Sequence, residues 1–75
     1  MTHAASPAPT VTVGDRLRGA MATARIRQTD AARRLGISQP ALSRRLSGGA
    51  PWRDGEVEKL AAICGIPLTD LMAVA

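Results

Sequence analysis

From Val13 onward, apolar residues recur every three or four positions, and glycines interrupt this pattern at short intervals. Such spacing places apolar side chains on one face of an α-helix, and a glycine just past the last apolar residue typically ends it. The chain is rich in alanine and has a single aromatic residue, Trp52, which favours helix over sheet. The sequence therefore predicts an all-α domain of short helices.

Capping residues and apolar stripes predict five helices. Their predicted bounds are 14–24, 28–35, 39–47, 55–64 and a short helix from about 69 onward, with Thr12, Ser38 and Asp54 as the N-caps of the first, third and fourth. Residues 1–12 contain two prolines and no Asp, Glu, Lys or Arg, so we expect a disordered arm there. Residues 13–75 are predicted to form one compact five-helix domain.

The size and the cysteine content of the chain exclude a multidomain protein, a disulfide-stabilised domain and a zinc-binding domain. Seventy-five residues suffice for one small domain. A lone cysteine, Cys64, excludes an internal disulfide, and with a lone histidine, His3, it cannot build a zinc site. We expect no metal and no cofactor. No apolar run approaches the ~20 residues of a membrane span, and the start lacks the features of a signal peptide, so we expect a cytoplasmic protein.

Charge is distributed unevenly along the chain, whose net charge is +4. Residues 1–53 hold nine Arg and two Asp, a net of +7, whereas residues 54–75 have a net of −3. A strongly basic small domain is typical of proteins with an anionic partner, nucleic acid above all.

The most informative stretch is residues 28–48, QTDAARRLGISQPALSRRLSG. An eight-residue helix, a turn that opens at Gly36 and a helix capped by Ser38 are the parts of a helix-turn-helix. Ala32 is small enough for the point where two helices cross closely, and Gly36 can adopt the left-handed backbone of a sharp turn. Ile37 and Leu42 are predicted to fill the wedge between the two helices.

This segment resembles the lambda-repressor-like (XRE, Cro-type) DNA-binding domains. Their pattern is a Gln that opens helix 2, a small residue, Leu-Gly-Val/Ile-Ser, and a recognition helix that ends near a glycine. The stretch LAAICGIPLTDLM resembles the family's usual ending, so the resemblance covers about residues 13–74. It implies a compact five-helix lambda-repressor-like domain, with the helix-turn-helix at helices 2 and 3. The stretch SQPALSRRLSG is also similar to the recognition helix of LacI-type repressors, whose downstream helices differ.

Two positions depart from the family's pattern. Arg45 stands where an apolar core residue is usual, and Leu46 stands where an acid is common. We expect Leu46 to enter the core and the Arg45 stem to lie beside it, with its charged end reaching solvent.

The resemblance implies that the start of helix 3 lies in the major groove of double-stranded DNA. Base reading then falls to Gln39 and Arg44, which can pair with adenine and guanine, while Pro40 and Ala41 offer only apolar contact. Phosphate contacts are expected at the start of helix 2, where N–H groups point outward, and at nearby hydroxyl and cationic side chains. These residues are Arg27, Gln28, Thr29, Ser38, Ser43 and Arg45.

Together these features predict a sequence-specific transcriptional regulator. The specific hypothesis is a repressor of phage or prophage type that binds a pseudo-palindromic operator as a homodimer, formed in solution or only on DNA. Helix 5, with Leu71, Met72 and Val74, is the expected apolar dimer surface. No nucleophile–base pair or phosphate-binding glycine loop is visible, so we expect neither an enzyme nor a small-molecule ligand.

Two other functions fit the same fold. The chain could be an antitoxin or another protein-interaction module, which usually carries an additional extended or amphipathic tail. It could also be an architectural DNA binder without sequence preference, which should be richer in lysine and hold a basic arm; this chain has one lysine.

Overall fold

A computed structural model describes residues 11–72, which form five α-helices and no strand. The helices are α1 (Val13–Ala24), α2 (Gln28–Leu35), α3 (Gln39–Ser47), α4 (Glu56–Cys64) and α5 (Leu68–Met72). The predicted all-α, five-helix fold is confirmed, and the bounds of α2 and α3 agree with the prediction. Residues 1–10 of the predicted arm lie outside the described residues.

The domain has one hydrophobic core, to which all five helices contribute. α1 packs against α3, α4 and α5, while α2 packs against α3 and α4. The buried apolar side chains come from every helix; they are Leu17, Met21, Ala31, Ala32, Leu42, Leu46, Leu60, Ala61 and Leu71. The domain therefore has a single shared core, and α3 is held against it by α1 and α2.

α1 begins with a reciprocal cap. The Asp15 N–H donates to Thr12 Oγ1 at 3.0 Å, and the Thr12 N–H donates to Asp15 Oδ2 at 3.1 Å. Thr12 is thus the N-cap of α1, as predicted. The hydrogen bond from the Thr12 backbone, followed by that from the Arg18 side chain, lowers the pKa of the Asp15 carboxyl. This cap fixes the point at which the chain enters the core.

Gly14 lies at a close contact between α1 and α3. It is buried, and a Cβ atom added to it would overlap the carbonyl oxygen of Leu46 and lie 2.9 Å from the carbonyl carbon. Because both groups are backbone, the two helices touch there without an intervening side chain. Nothing in the pattern of the sequence singles out this residue.

The start of α4 differs from the prediction. Asp54 is not the N-cap, because Gly55 occupies that position with a φ of 80°, and α4 begins at Glu56. The Glu56 side chain turns back, and its Oε1 accepts a hydrogen bond from the Arg53 N–H at 2.8 Å. Glycine adopts this left-handed conformation without the steric cost that a residue with a Cβ atom would incur there.

α5 contributes its second leucine, Leu71, to the core. Leu71 is only 3% exposed, so the predicted dimer surface on this helix loses that residue. Leu68, at the start of α5, is 38% exposed. Val74 lies outside the described residues.

Candidate nucleic-acid interface

α2 and α3 are joined by the three-residue turn 36–38. Gly36 has a φ of 78° and donates its N–H to the Arg33 carbonyl at 3.1 Å, while Ile37 donates to the Ala32 carbonyl at 3.0 Å. Ser38 then caps α3, since its Oγ accepts from the Ala41 N–H at 3.2 Å. These bonds end one helix and start the next within three residues, as the sequence predicted.

The inner side of this unit is closed by small and aliphatic residues. Ala31, Ala32 and Leu42 are buried, and Ile37 is half-buried against the same core. Since these residues face inward, the opposite side of α3 faces solvent. The predicted wedge of Ile37 and Leu42 agrees with this packing.

The outer side of α3 presents most of the residues predicted to read bases. Gln39, Pro40 and Arg44 are exposed, and Ala41 and Ser43 are half-buried. Two pairs on this side of α3 are each four residues apart and therefore lie on one helical face; they are Gln39 with Ser43 and Pro40 with Arg44. Their contact with DNA stays a prediction.

A hydrogen bond joins the first residues of α2 and α3. Gln39 Nε2 donates to Gln28 Oε1 at 3.2 Å. The two glutamines were predicted to have separate roles, one at a base and one at a phosphate, and their mutual contact was not predicted. The bond leaves Gln39 with its Oε1 acceptor and a second N–H, and it leaves Gln28 with both amide N–H groups.

The start of α2 has no side-chain cap of its own. Arg27 occupies the N-cap position in an extended conformation and makes no capping hydrogen bond. The first-turn N–H groups therefore lack a side-chain acceptor, unlike those of α1 and α3, which Thr12 and Ser38 cap. Helix N-termini of this kind attract anions through those N–H groups and the helix dipole. Thr29, in the same turn, is exposed.

Arg45 does not lie where the sequence analysis expected it. Leu46 is buried as predicted, but Arg45 is only 8% exposed, and its Nε lies 2.8 Å from Glu56 Oε1. The contact is an ion pair without a well-directed hydrogen bond from Nε. The Arg45 side chain is therefore mostly buried beside a carboxylate from another helix, whereas the prediction had its charged end in solvent. We therefore leave Arg45 out of the proposed phosphate contacts.

The remaining arginines differ in their partners. Arg18 pairs with Asp15, and Arg33 lies 3.5 Å from Asp30. Five exposed arginines take part in none of the ion pairs formed within residues 11–72; they are Arg25, Arg27, Arg34, Arg44 and Arg53. Two of the cations predicted to contact DNA, Arg27 and Arg44, are in this group.

Other chemistry finds little support in the described part of the chain. Within it, no group of three or more His, Cys, Asp or Glu could hold a metal ion. Cys64 is half-buried, and this burial raises the pKa of its thiol, which disfavours the reactive thiolate. None of the described helices has both the length and the apolar character needed to cross a membrane.

The described geometry is a helix-turn-helix unit held in a five-helix domain. Residues 12–74 match the family described as helix-turn-helix domain, and the chain belongs to this family. The match agrees with the resemblance to lambda-repressor-like domains. No curated protein and no solved structure gives a significant match. Membership of this typically non-enzymatic family points to a DNA-binding regulator.

Proposed function

We propose that this chain binds double-stranded DNA sequence-specifically, as a transcriptional repressor of phage or prophage type that acts on the bacterial nucleoid. The observation that supports this proposal best is the exposed face of α3, where Gln39 and Arg44 lie five residues, or about 1.4 helical turns, apart and Gln39 is held by Gln28. The N-terminal part of a recognition helix is the part that contacts base edges in helix-turn-helix docking.

The hydrogen-bonding groups left on Gln39 suit an adenine. Its Oε1 would accept from adenine N6, and its second N–H would donate to N7, while the first stays on Gln28. The bond to Gln28 restricts the Gln39 side chain before DNA arrives, which reduces the entropy lost on binding. Arg44 would make the corresponding paired contact with guanine O6 and N7.

Phosphate contacts would flank this reading face. Arg27 and the N–H groups of α2 would meet one phosphate, together with Thr29 and the free amide N–H groups of Gln28. Ser38 accepts one hydrogen bond as a cap and keeps its O–H to donate to a phosphate, and Ser43 lies on the same outer face. These contacts would fix the position of α3 without reading sequence.

We further propose that two copies bind a pseudo-palindromic operator, with half-sites about 34 Å apart, or one helical turn. With Leu71 in the core, the exposed Leu68 is the described apolar residue of α5 that could contribute to this dimer. The dimer could form in solution or only when both half-sites are occupied.

Selection of bound duplexes from a random pool tests both parts of this proposal. We expect an enriched motif with two inverted half-sites spaced by about one helical turn. An enriched motif with a single half-site would contradict the dimer, and a pool without any enriched motif would contradict sequence-specific binding.

Replacement of Arg44 by alanine is expected to weaken binding to the selected duplex by about 5- to 150-fold, the equivalent of one lost base contact. The preference at one base-pair position should be lost at the same time. Competition binding against duplexes altered at each position measures both effects. Arg34→Ala is the matched control, because Arg34 is also exposed but lies on α2. Unchanged discrimination in Arg44→Ala would remove this residue from the reading face.

Replacement of Arg27 by alanine is expected to weaken binding to all duplexes alike. One lost phosphate contact should reduce the slope of log affinity against log salt concentration by about 1. Titrations of the selected duplex and an unrelated duplex at several salt concentrations measure this slope. A change in base preference would show that Arg27 reads bases instead.

A further inference from the structure

The Arg45–Glu56 pair connects two helices that otherwise pack mainly on shared neighbours. α3 packs against α1 and α2, and α4 packs against α1, α2 and α5. The side chains of Arg45 and Glu56 are only 9% and 12% exposed, with Nε and Oε1 2.8 Å apart. The pair therefore forms a direct bridge, inside the domain, between the end of α3 and the start of α4.

The same carboxylate oxygen also holds the loop between these helices (residues 48–55, the α3–α4 loop). Glu56 Oε1 accepts from the Arg53 N–H at 2.8 Å. At the other end of the loop, the Gly49 N–H donates to the Arg44 carbonyl at 2.8 Å, and the Gly48 N–H donates to the Arg45 carbonyl at 3.2 Å. Backbone hydrogen bonds thus join the start of the loop directly to α3. The end of the loop is joined to α3 through Glu56 and Arg45.

We infer that Glu56 is a positioning residue for the proposed DNA interface, an inference that rests on the proposed function. Arg53 of the α3–α4 loop is exposed and takes part in none of the ion pairs of the described residues, so it would add a phosphate contact beside α3. The Glu56 carboxylate holds the loop and α3 in one arrangement, so that Arg53 and Arg44 keep a constant spacing. A preorganised surface loses less entropy when it binds. This strengthens binding to the selected duplex, where several contacts form together, more than binding to an unrelated duplex.

The ionic pair itself is a poor source of stability. Desolvation of two buried charges offsets most of their attraction, and apolar side chains of similar volume often stabilise a protein as well or better. Replacement of both residues by methionine therefore separates positioning from folding. It also removes one positive and one negative charge, so the net charge of +4 and the general attraction to DNA stay unchanged.

The test compares the wild-type chain with Arg45→Met/Glu56→Met. We expect helical circular dichroism to be retained and affinity for the selected duplex to fall about 3- to 30-fold. Affinity for an unrelated duplex should stay within about twofold, with the salt slope unchanged. The second variant, Arg45→Met/Glu56→Gln, keeps an amide oxygen for the Arg53 N–H and should show an intermediate loss. A merely structural role would not change the ratio of the two affinities.

The inference is overturned if a folded Met/Met variant binds the selected duplex like the wild type, or loses affinity for both duplexes equally. If Met/Met does not fold, the Met/Gln variant decides, and wild-type discrimination in it overturns the inference. Amide hydrogen exchange at Arg53 provides a readout without DNA: it should be faster in Met/Met than in the wild type and Met/Gln. If the wild type selects no duplex, the proposed function fails. If the Arg53 amide hydrogen exchanges equally fast in Met/Met and in the wild type, Glu56 does not hold the loop and the inference fails by itself.

Discussion

Replacement of Gly14 by alanine is expected to lower the free energy of unfolding by about 1–3 kcal/mol, the usual cost of an added methyl group in a filled site. The new Cβ would overlap the Leu46 carbonyl group, and neither backbone can move without displacing α1 from α3. Gly14 is the second residue of α1, so the gain that alanine brings to a helix interior, about 1 kcal/mol, applies there only in part and does not reverse the sign. Urea denaturation followed by circular dichroism measures the change.

Gly19→Ala provides the matched control on the same helix. Gly19 is exposed, and no heavy atom lies within 4 Å of a Cβ added there. Here alanine should raise stability by about 0.5–1 kcal/mol, since it restricts the unfolded chain. Equal changes in the two variants would show that the contact between Gly14 and α3 is not tight.

Replacement of Arg45 by alanine is expected to cost about 3–5 kcal/mol, because it leaves the Glu56 carboxylate buried without its cation. A domain of this size has only roughly 3–5 kcal/mol of stability from its core. A large fraction of the Arg45→Ala molecules should therefore be unfolded at room temperature. Thermal and urea unfolding of the purified protein measure this loss.

Arg33→Ala is the control for that prediction. Arg33 also lies near a carboxylate, Asp30, but both side chains are largely exposed, and such pairs contribute about 0–1 kcal/mol. The two arginine variants should therefore differ by several kcal/mol. A small loss in Arg45→Ala would mean that water reaches Glu56 when the guanidinium is gone.

Local signals explain why the helix-turn-helix could be predicted to the residue. Gly36, Ser38 and Gly48 each act on the backbone within a few positions, and the structure shows them as caps. The N-cap of α4 was missed for a related reason. Asp54 and Gly55 are both acceptable caps, and the left-handed backbone of Gly55, which favours glycine as the cap, is not visible in the sequence pattern.

Contacts between helices account for the rest of what the sequence did not reveal. The burial of Arg45 depends on a carboxylate on another helix, and nothing in the pattern of α3 indicates it. Gly14 looks like an ordinary glycine in a helix until α3 is placed against it. The Gln28–Gln39 bond likewise requires the angle between two helices, although each residue was singled out on its own.

Trp52 gives the α3–α4 loop an optical signal of its own. It is the only aromatic residue in the chain, and it is half-buried beside Val13, Val57 and Leu68 in a groove of about 280 Å³. The intrinsic ultraviolet emission of the protein therefore originates at a single place, one residue from Arg53. Without a dye or a further substitution, a change in that emission on addition of DNA would show that the surroundings of Trp52 change on binding.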